Sequence, residues 1–474
     1  MYLSRLTDRH AGKDMKVAGI TADSRQVREG FLFAAIPGSK GDGRTYIADA
    51  IVHGAKVILA PEGSVLPEDA GDVVLVTDAN PRRRYARMAA AYYAQQPDNI
   101  VAVTGTSGKT SCVSFTQQLW HLSGIASCAS LGTLGTRGPN IRKYGGMTTP
   151  DAQALMAELA DLAAVGITHL AMEASSHGLD QYRLDGVALK AAAFTNLSRD
   201  HLDYHPDMEH YFESKARLFT ELLPQDGVAV IPQDDEWGQR LIGMIGQRVI
   251  TIGGDIRVES VEAVPHGQHM ALHAFGKRYD VSLPLVGDFQ MRNTLTALGL
   301  VVATGVAADK AVSHLESLRK IEGRLQLIEG HRRGAAVYVD YAHKPAALET
   351  ILKTLRPHTQ GRLICVFGCG GDRDAGKRPM MGKIASDLCD VVIVTDDNPR
   401  SENAADIRRQ IMAEAPGALE IGNRADAIRE AVAMAKAGDV VVIAGKGHET
   451  GQIIGSRVEP FDDAEEAKKA IGSV

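Results

Sequence analysis

Apolar runs of strand length alternate with helix-period stretches along most of the chain, and polar, glycine-rich turns punctuate them. In the first stretch, residues 31–36, 56–60 and 73–76 read as strands, 81–95 as a helix, and Gln96-Pro97-Asp98-Asn99 as a linker turn. The buried-type run 100–103 then opens a second stretch, with a helix continuing through Leu122, a helix over 152–165 and strands over 169–172 and 191–195. A third stretch gives strands at 337–340, 363–367, 391–395 and 440–444, with helices at 345–355, 379–388, 404–413 and 424–436. Strands that alternate with helices predict an α/β protein with parallel sheets. Four polar segments follow the strands of the third stretch: Asp340 to His343, Gly368 to Arg378, Asp396 to Arg400, and Gly445 to Thr450. Ligands of open α/β sheets collect at the carboxyl ends of strands, so these segments predict a ligand face.

Length and composition narrow the class. At ~150 residues per domain, 474 residues predict about three domains, with boundaries at 1–98, 99–328 and 329–474. Apolar residues at 45% and charged residues at 23% exclude general disorder. A net charge of -6 argues against a broad nucleic-acid-binding face but leaves room for a local cationic pocket. Aromatics at 5% argue against base-stacking platforms. No run approaches the ~18 apolar residues of a membrane span, and the opening segment has no apolar signal core. The five cysteines lack zinc-type pairing and read as reduced thiols, which predicts a cytoplasmic protein.

Gly105-Thr106-Ser107-Gly108-Lys109-Thr110-Ser111 joins a strand to a helix. Such a turn aims backbone N–H groups at phosphate oxygens; Lys109 adds a charge and the Thr110 hydroxyl can hold Mg²⁺. Val103 replaces the first glycine of the longer phosphate-loop pattern, which implies a shorter variant; the bland alternative is an ordinary glycine turn. Gly371 to Lys377 matches more of that pattern, yet Arg378 removes the metal-binding hydroxyl and Pro379 follows, so it is taken as a decoy. Glu173 ends a strand, where it could ligate Mg²⁺. His201 and His205 lie in a polar loop that is either plain surface, a zinc site or part of an oxygen-rich Mg²⁺ site. Spacing alone makes Lys215 a solvated lysine, and Asp397-Asn398-Pro399-Arg400 a proline turn with a surface arginine.

In combination these residues resemble the Mur ligase family. The markers are the 105–111 loop, Thr148-Thr149-Pro150-Asp151, Glu173-Ala174-Ser175-Ser176-His177, Asn196 to His205, Lys215 with Leu218-Phe219, Asp340 to Pro345, and Gly445 to Glu449. The resemblance implies an α/β chain of three domains: an N-terminal domain for a UDP-sugar peptide, a central P-loop ATPase-type parallel sheet for ATP, and a C-terminal Rossmann-like domain for the incoming amino acid. It implies amide ligation through an acyl phosphate, with small-molecule substrates and no nucleic acid or membrane partner. By matched position, Lys109 would hold the transferring phosphate, Thr110 and Glu173 one Mg²⁺, His201 a second, and Lys215 would be carbamylated and serve as a metal-linked anion. Asn293, Arg324 and Asp340 would contact ATP. Ser24, Thr148, Thr149, Ser175, Gln181 and Arg183 would contact the UDP-sugar peptide. Ser39-Lys40-Gly41 departs from the His-Gln-Ala stretch of diaminopimelate-adding members.

Asp397-Asn398-Pro399-Arg400 resembles the members that add meso-diaminopimelate. Arg400 offers a donor fork for the second carboxylate, Arg373 another, while Glu449 and the Gly445 carbonyl could receive the distal ammonium. One charge-assisted bond contributes roughly 1.5–3 kcal/mol, or about 10- to 150-fold. Discrimination of ~10³ needs about 4 kcal/mol, so Arg373, Asn398, Arg400 and Glu449 are expected to act together. A lysine-adding family member, a folylpolyglutamate synthetase and a P-loop NTPase switch remain the alternatives. ATP and amino acid on different domains predict domain closure.

Overall fold

The computed structural model describes residues 1–7, 14–38, 41–145, 147–264 and 267–473. Ser39 and Lys40, the first two residues of the Ser39-Lys40-Gly41 departure, lie outside the described residues. The chain forms two compact units, one built from 1–257, 274–277 and 293–314, the other from 258–273, 278–292 and 315–474.

The first unit carries two sheets. Gly19–Thr21, Phe31–Ala34, Ala55–Pro61 and Val74–Asp78 pair in that order, all parallel. The larger sheet orders Arg248–Ile252, Val228–Pro232, Leu189–Phe194, Asn99–Thr104, His169–Glu173 and Cys128–Gly132, again all parallel. Gly135–Gly138 and Ile141–Lys143 extend it antiparallel. Its strands are apolar on both faces, as a sheet covered on both sides requires. The helix Pro81–Tyr93 starts with proline in its first turn and Asn80 accepting from the Arg83 N–H. It packs on Ala152–Ala164, where Tyr85, Met88, Leu155 and Leu159 share one core.

The second unit contains a six-stranded sheet in the order Gln326–Ile328, Ala336–Asp340, Val440–Ala444, Leu363–Phe367, Val391–Val394, Leu419–Glu420, and a two-stranded one of Gly451–Ile454 and Arg457–Pro460. In the six-stranded sheet only the first pairing is antiparallel. Helices Pro345–Leu355, Lys377–Leu388, Ala404–Met412, Arg424–Met434 and Asp463–Gly472 cover it. Because its central strands run parallel, the four polar segments predicted to form a ligand face all leave from one sheet edge.

The decoy phosphate pattern is structural. Lys377 begins a helix and donates to the His343 carbonyl at 2.7 Å, and buried Arg378 pairs with Glu402 at 2.8 Å. Arg424 and Asp463 form a wholly buried pair, with two bonds of 2.7 Å and a third from the guanidinium to the Ala444 carbonyl at 2.9 Å. Removing one partner strands the other charge out of water. Asp463→Ala is expected to destabilise the second unit by about 3–5 kcal/mol. A denaturant midpoint unchanged from wild type would contradict this.

Candidate active site

Three neighbouring parallel strands deliver the first unit's polar residues to one edge. Thr104, Glu173 and Phe194 end the strands Asn99–Thr104, His169–Glu173 and Leu189–Phe194, which stand side by side. Gly105 opens the turn at φ +143°, and a Cβ there would lie 1.9 Å from Thr195 Oγ1. Gly108 stands at φ +88°, where a Cβ would meet Asn293 Oδ1 at 2.4 Å. Both positions therefore demand glycine. The neighbouring loop pins the turn: Thr106 N donates to Asn196 O (2.9 Å), Ser107 N to Asn196 Oδ1 (3.1 Å), and Thr195 Oγ1 to Ser107 O (2.6 Å). Ser111 is buried in the helix Lys109–Leu122 that follows.

Two ammonium groups meet at one carbonyl. Lys109 Nζ donates to Gly105 O at 2.7 Å, and buried Lys215 Nζ donates to the same oxygen at 3.0 Å. The two nitrogens therefore lie less than ~6 Å apart, where like charges at an effective dielectric near 20 repel by roughly 3 kcal/mol or more. Lys215 also lies 4.3 Å over the Tyr211 ring, a favourable cation–π contact. It is thus no solvated lysine, as its spacing alone suggested. Two lysines that converge on one glycine turn suit a triphosphate.

Glu173 is buried and multiply held. Thr110 Oγ1 and Thr133 N donate to Oε1 at 3.0 and 2.7 Å, and Thr133 Oγ1 donates to Oε2 at 3.2 Å. The Thr110 hydroxyl and the Glu173 carboxylate are hard oxygen donors in direct contact, and they fit Mg²⁺. His201 sits at φ +53° with Nε2 3.4 Å from Asp200 Oδ2. His205 is buried against His210 at 3.0 Å, and burial first, then His210 and His177, pushes its pKa down to about 4. Among the described residues no three His, Cys, Asp or Glu side chains are arranged to hold a metal.

Thr148, Thr149, Ser175, Gln181 and Arg183 lie together beside Glu173. Thr149 Oγ1 donates to Glu173 O and accepts from Ser175 N, both at 3.0 Å. Arg183 donates to Thr149 O at 2.7 Å and to Gln181 Oε1 at 2.8 Å, and Thr148 shares a 3.1 Å hydroxyl contact with Thr133. Ser24 begins a short helix by the four-stranded sheet, and none of its hydrogen bonds reaches this group.

In the second unit Asp340 is buried and accepts from Leu325 N and Ala342 N, each at 2.7 Å. Burial raises its pKa, and Arg324 and these two bonds oppose the rise. Arg324 stacks 4.6 Å from the Tyr341 ring centre. The sequence-predicted nucleotide residues thus divide, Asn293 beside the glycine turn and Arg324 with Asp340 in the other unit.

The amino-acid candidates converge at the carboxyl edge. Arg400 takes φ +52° and donates from Nη1 to Gly371 O at 2.8 Å. A Cβ on Gly370 would lie 2.8 Å from that nitrogen and 3.9 Å from Arg373 Cγ, so the two arginines flank one glycine. Gly371 packs against Pro399 O, again without room for a side chain. Gly445, at φ +120°, faces Asp397 in the same way. Asn398 Nδ2 donates to Glu449 Oε2 at 2.9 Å. Among the described residues, Arg400 Nε and Nη2 and Glu449 Oε1 bond no protein group. They leave a paired donor and an acceptor for a ligand with opposite charges.

Three family descriptions match successive segments: "Mur ligase family, catalytic domain" at residues 16–99, "Mur ligase middle domain" at 103–301, and "Mur ligase, glutamate ligase domain" at 323–447. The chain belongs to the Mur ligase family. It is therefore an ATP-dependent ligase that forms amide bonds. This Mur ligase is 54% identical over 466 residues to the UDP-N-acetylmuramoyl-L-alanyl-D-glutamate–2,6-diaminopimelate ligase of Rhizobium meliloti, covering 97% of this chain and 95% of the relative. The protein of that name from Agrobacterium fabrum is 51% identical, covering 97% and 94%. A solved structure of the same name aligns at TM-score 0.74 and 33% identity over 100% of this chain and 99% of its own. A folylpolyglutamate synthase from Mycobacterium tuberculosis shares the fold, at TM-score 0.62 and 20% identity, over 82% of this chain and 95% of its own.

Three contributors escaped the sequence: Thr133, which fixes Glu173; Gln452, which donates to Asp397 O at 2.6 Å; and Lys446, buried within a recognised motif. Thr133 and Gln452 carry no local signal, because each acts across a fold contact, and the motif around Lys446 does not show its bond to Asn398. In this Mur ligase, Lys109→Met is expected to lower kcat/KM for ATP by about 10- to 150-fold, the worth of one charge-assisted phosphate contact. Steady-state kinetics with unchanged kcat/KM would contradict that role.

Proposed function

We propose that this Mur ligase joins meso-2,6-diaminopimelate to the D-Glu carboxyl of UDP-N-acetylmuramoyl-L-alanyl-D-glutamate, with ATP becoming ADP and phosphate, in cytoplasmic peptidoglycan precursor synthesis. The observation that carries it is the pairing at one sheet edge of uncommitted Arg400 donors with an uncommitted Glu449 oxygen, which matches a distal carboxylate and ammonium. The full-length similarity to proteins named for that reaction supports it.

A carboxylate resists amines until an oxygen becomes a good leaving group. In the proposed route a D-Glu carboxylate oxygen attacks the gamma phosphorus and ADP departs. The amine then attacks the acyl carbon, loses a proton and expels phosphate. Lys109 and the N–H groups of 105–111 hold the phosphates; Asn293, Arg324 and Asp340 contact the nucleotide. Thr110 and Glu173 would hold one Mg²⁺, and His201 and carbamylated Lys215 would serve a second. Bound Mg²⁺ supplies charge neutralisation on the transferring phosphate. Carbamylation of Lys215 would remove one of the two ammonium charges at Gly105 O and provide oxygen ligands. Ser24, Thr148, Thr149, Ser175, Gln181 and Arg183 bind the UDP-sugar peptide. Residues 1–98, 99–328 and 329–474 are the UDP-sugar-peptide, ATP and amino-acid domains of a monomer.

Purified protein given the UDP-linked dipeptide, ATP and Mg²⁺ should convert diaminopimelate far faster than lysine, with products weighed by mass spectrometry. Preference for lysine, or for a folate in place of the UDP-sugar peptide, would overturn the proposal. Arg400→Ala should reduce diaminopimelate use by about 10- to 150-fold while ATP binding holds. Unchanged KM and kcat for diaminopimelate would remove its role. Lys215→Ala should nearly abolish ligation, and Lys215→Glu should retain more activity because it restores an anion. A glutamate variant no better than alanine would count against a metal-linked carbamate.

A further inference from the structure

Lys446 stands on the Gly445–Thr450 loop, reaches across to the Asp397–Arg400 loop and has no exposed surface. A buried ammonium is costly unless paired and fully hydrogen-bonded. Here Nζ donates to Asn398 Oδ1 and to Glu449 Oε2, both at 3.0 Å. Asn398 completes a triangle by donating from Nδ2 to the same Glu449 oxygen at 2.9 Å, while its Oδ1 also accepts from Ile453 N at 2.9 Å. Gln452 Nε2 donates to Asp397 O, and Arg400 N to Ile453 O at 3.0 Å, so the strand Gly451–Ile454 is tied to the same loop.

This geometry does two things. Two donors on Oε2 fix the Glu449 carboxylate and leave Oε1 as the oxygen that a ligand can use. The ammonium also compensates the carboxylate's charge. Without it, Glu449 would attract any cation, including a side chain ending in a lone ammonium. With it, a lone cation gains little net attraction. A zwitterionic end still gains, because its carboxylate meets the Arg400 donors.

We propose that Lys446 is a positioning residue that sets the charge balance of the amino-acid pocket and thereby favours a zwitterionic side-chain end over a lone ammonium. The inference rests on the diaminopimelate function above and extends it to a residue that touches no substrate itself.

The test is a competition in one vessel, with the UDP-linked dipeptide, ATP, Mg²⁺, diaminopimelate and excess lysine, read as the product ratio by mass spectrometry. That ratio, corrected for concentration, is the ratio of kcat/KM values. Wild-type protein that forms neither product fails the proposed function before Lys446 is in question. With wild type active, Lys446→Met should lower the diaminopimelate-to-lysine ratio by about tenfold or more. Glu449→Gln removes an acceptor that both substrates' distal ammonium groups share and leaves the Lys446 charge, which only the zwitterion's carboxylate can use, so it should slow both substrates but raise the ratio. A purely structural role would slow both substrates alike. A ratio for Lys446→Met within about twofold of wild type, or both variants shifting it in the same direction, overturns the proposal. If Lys446→Met does not fold, Glu449→Gln decides alone: a rise supports the proposal, and a fall or no change overturns it.

Discussion

The tight turn between Thr104 and Lys109 is the constraint on which the first unit's chemistry depends. Its two glycines stand where a Cβ would strike Thr195 or Asn293, and its Gly105 carbonyl receives both Lys109 and Lys215. Such a turn can be held only if the next strand's loop supplies partners. Thr195 and Asn196 do so because Leu189–Phe194 runs parallel beside Asn99–Thr104. Strand order therefore fixes the glycine turn, and the turn brings two lysines together at one sheet edge. Glu173, ending the strand on the other side, brings the balancing carboxylate.

The second unit solves the complementary problem. The ligand proposed for it combines both charges, and a pocket of one sign would serve such a ligand badly. Arg400 and Arg373 stand on one side, Glu449 on the other, and buried Lys446 with Asn398 ties the opposing loops together. Strained backbone at Arg400 and tight glycines at 370, 371 and 445 are what close approach of these loops requires.

Much of this was legible in the sequence, for physical reasons. The strands Leu363–Phe367 and Val440–Ala444 and the helix Pro345–Leu355 have the expected bounds, because buried parallel strands are unbroken apolar runs and proline marks a helix start. The helix expected over 81–95 stops at Tyr93, where Ala94 turns to φ +59°. The helix expected from 379 begins at Lys377, since proline is tolerated in a first turn. The strands Ile256–Val264, Gly267–Ala274 and Lys277–Leu283 were not read, nor the helices Asp288–Ala303 and Asp463–Gly472. Ile256–Val264 is mostly exposed and carries Glu259 and Glu262, which masks an apolar strand pattern. In the site, the glycine turn and Glu173 were legible because one follows a strand and the other ends one. The work of Lys446 and Thr133 depends on which loops face each other, and no local pattern records that.

All of the chemistry assigned to this chain requires that ATP energise the D-Glu carboxyl before the amine arrives. The most direct test labels that carboxylate with heavy oxygen and weighs the inorganic phosphate released during ligation. One labelled oxygen in the phosphate is the predicted result. Phosphate carrying none of the label, with the amide formed, would contradict the account.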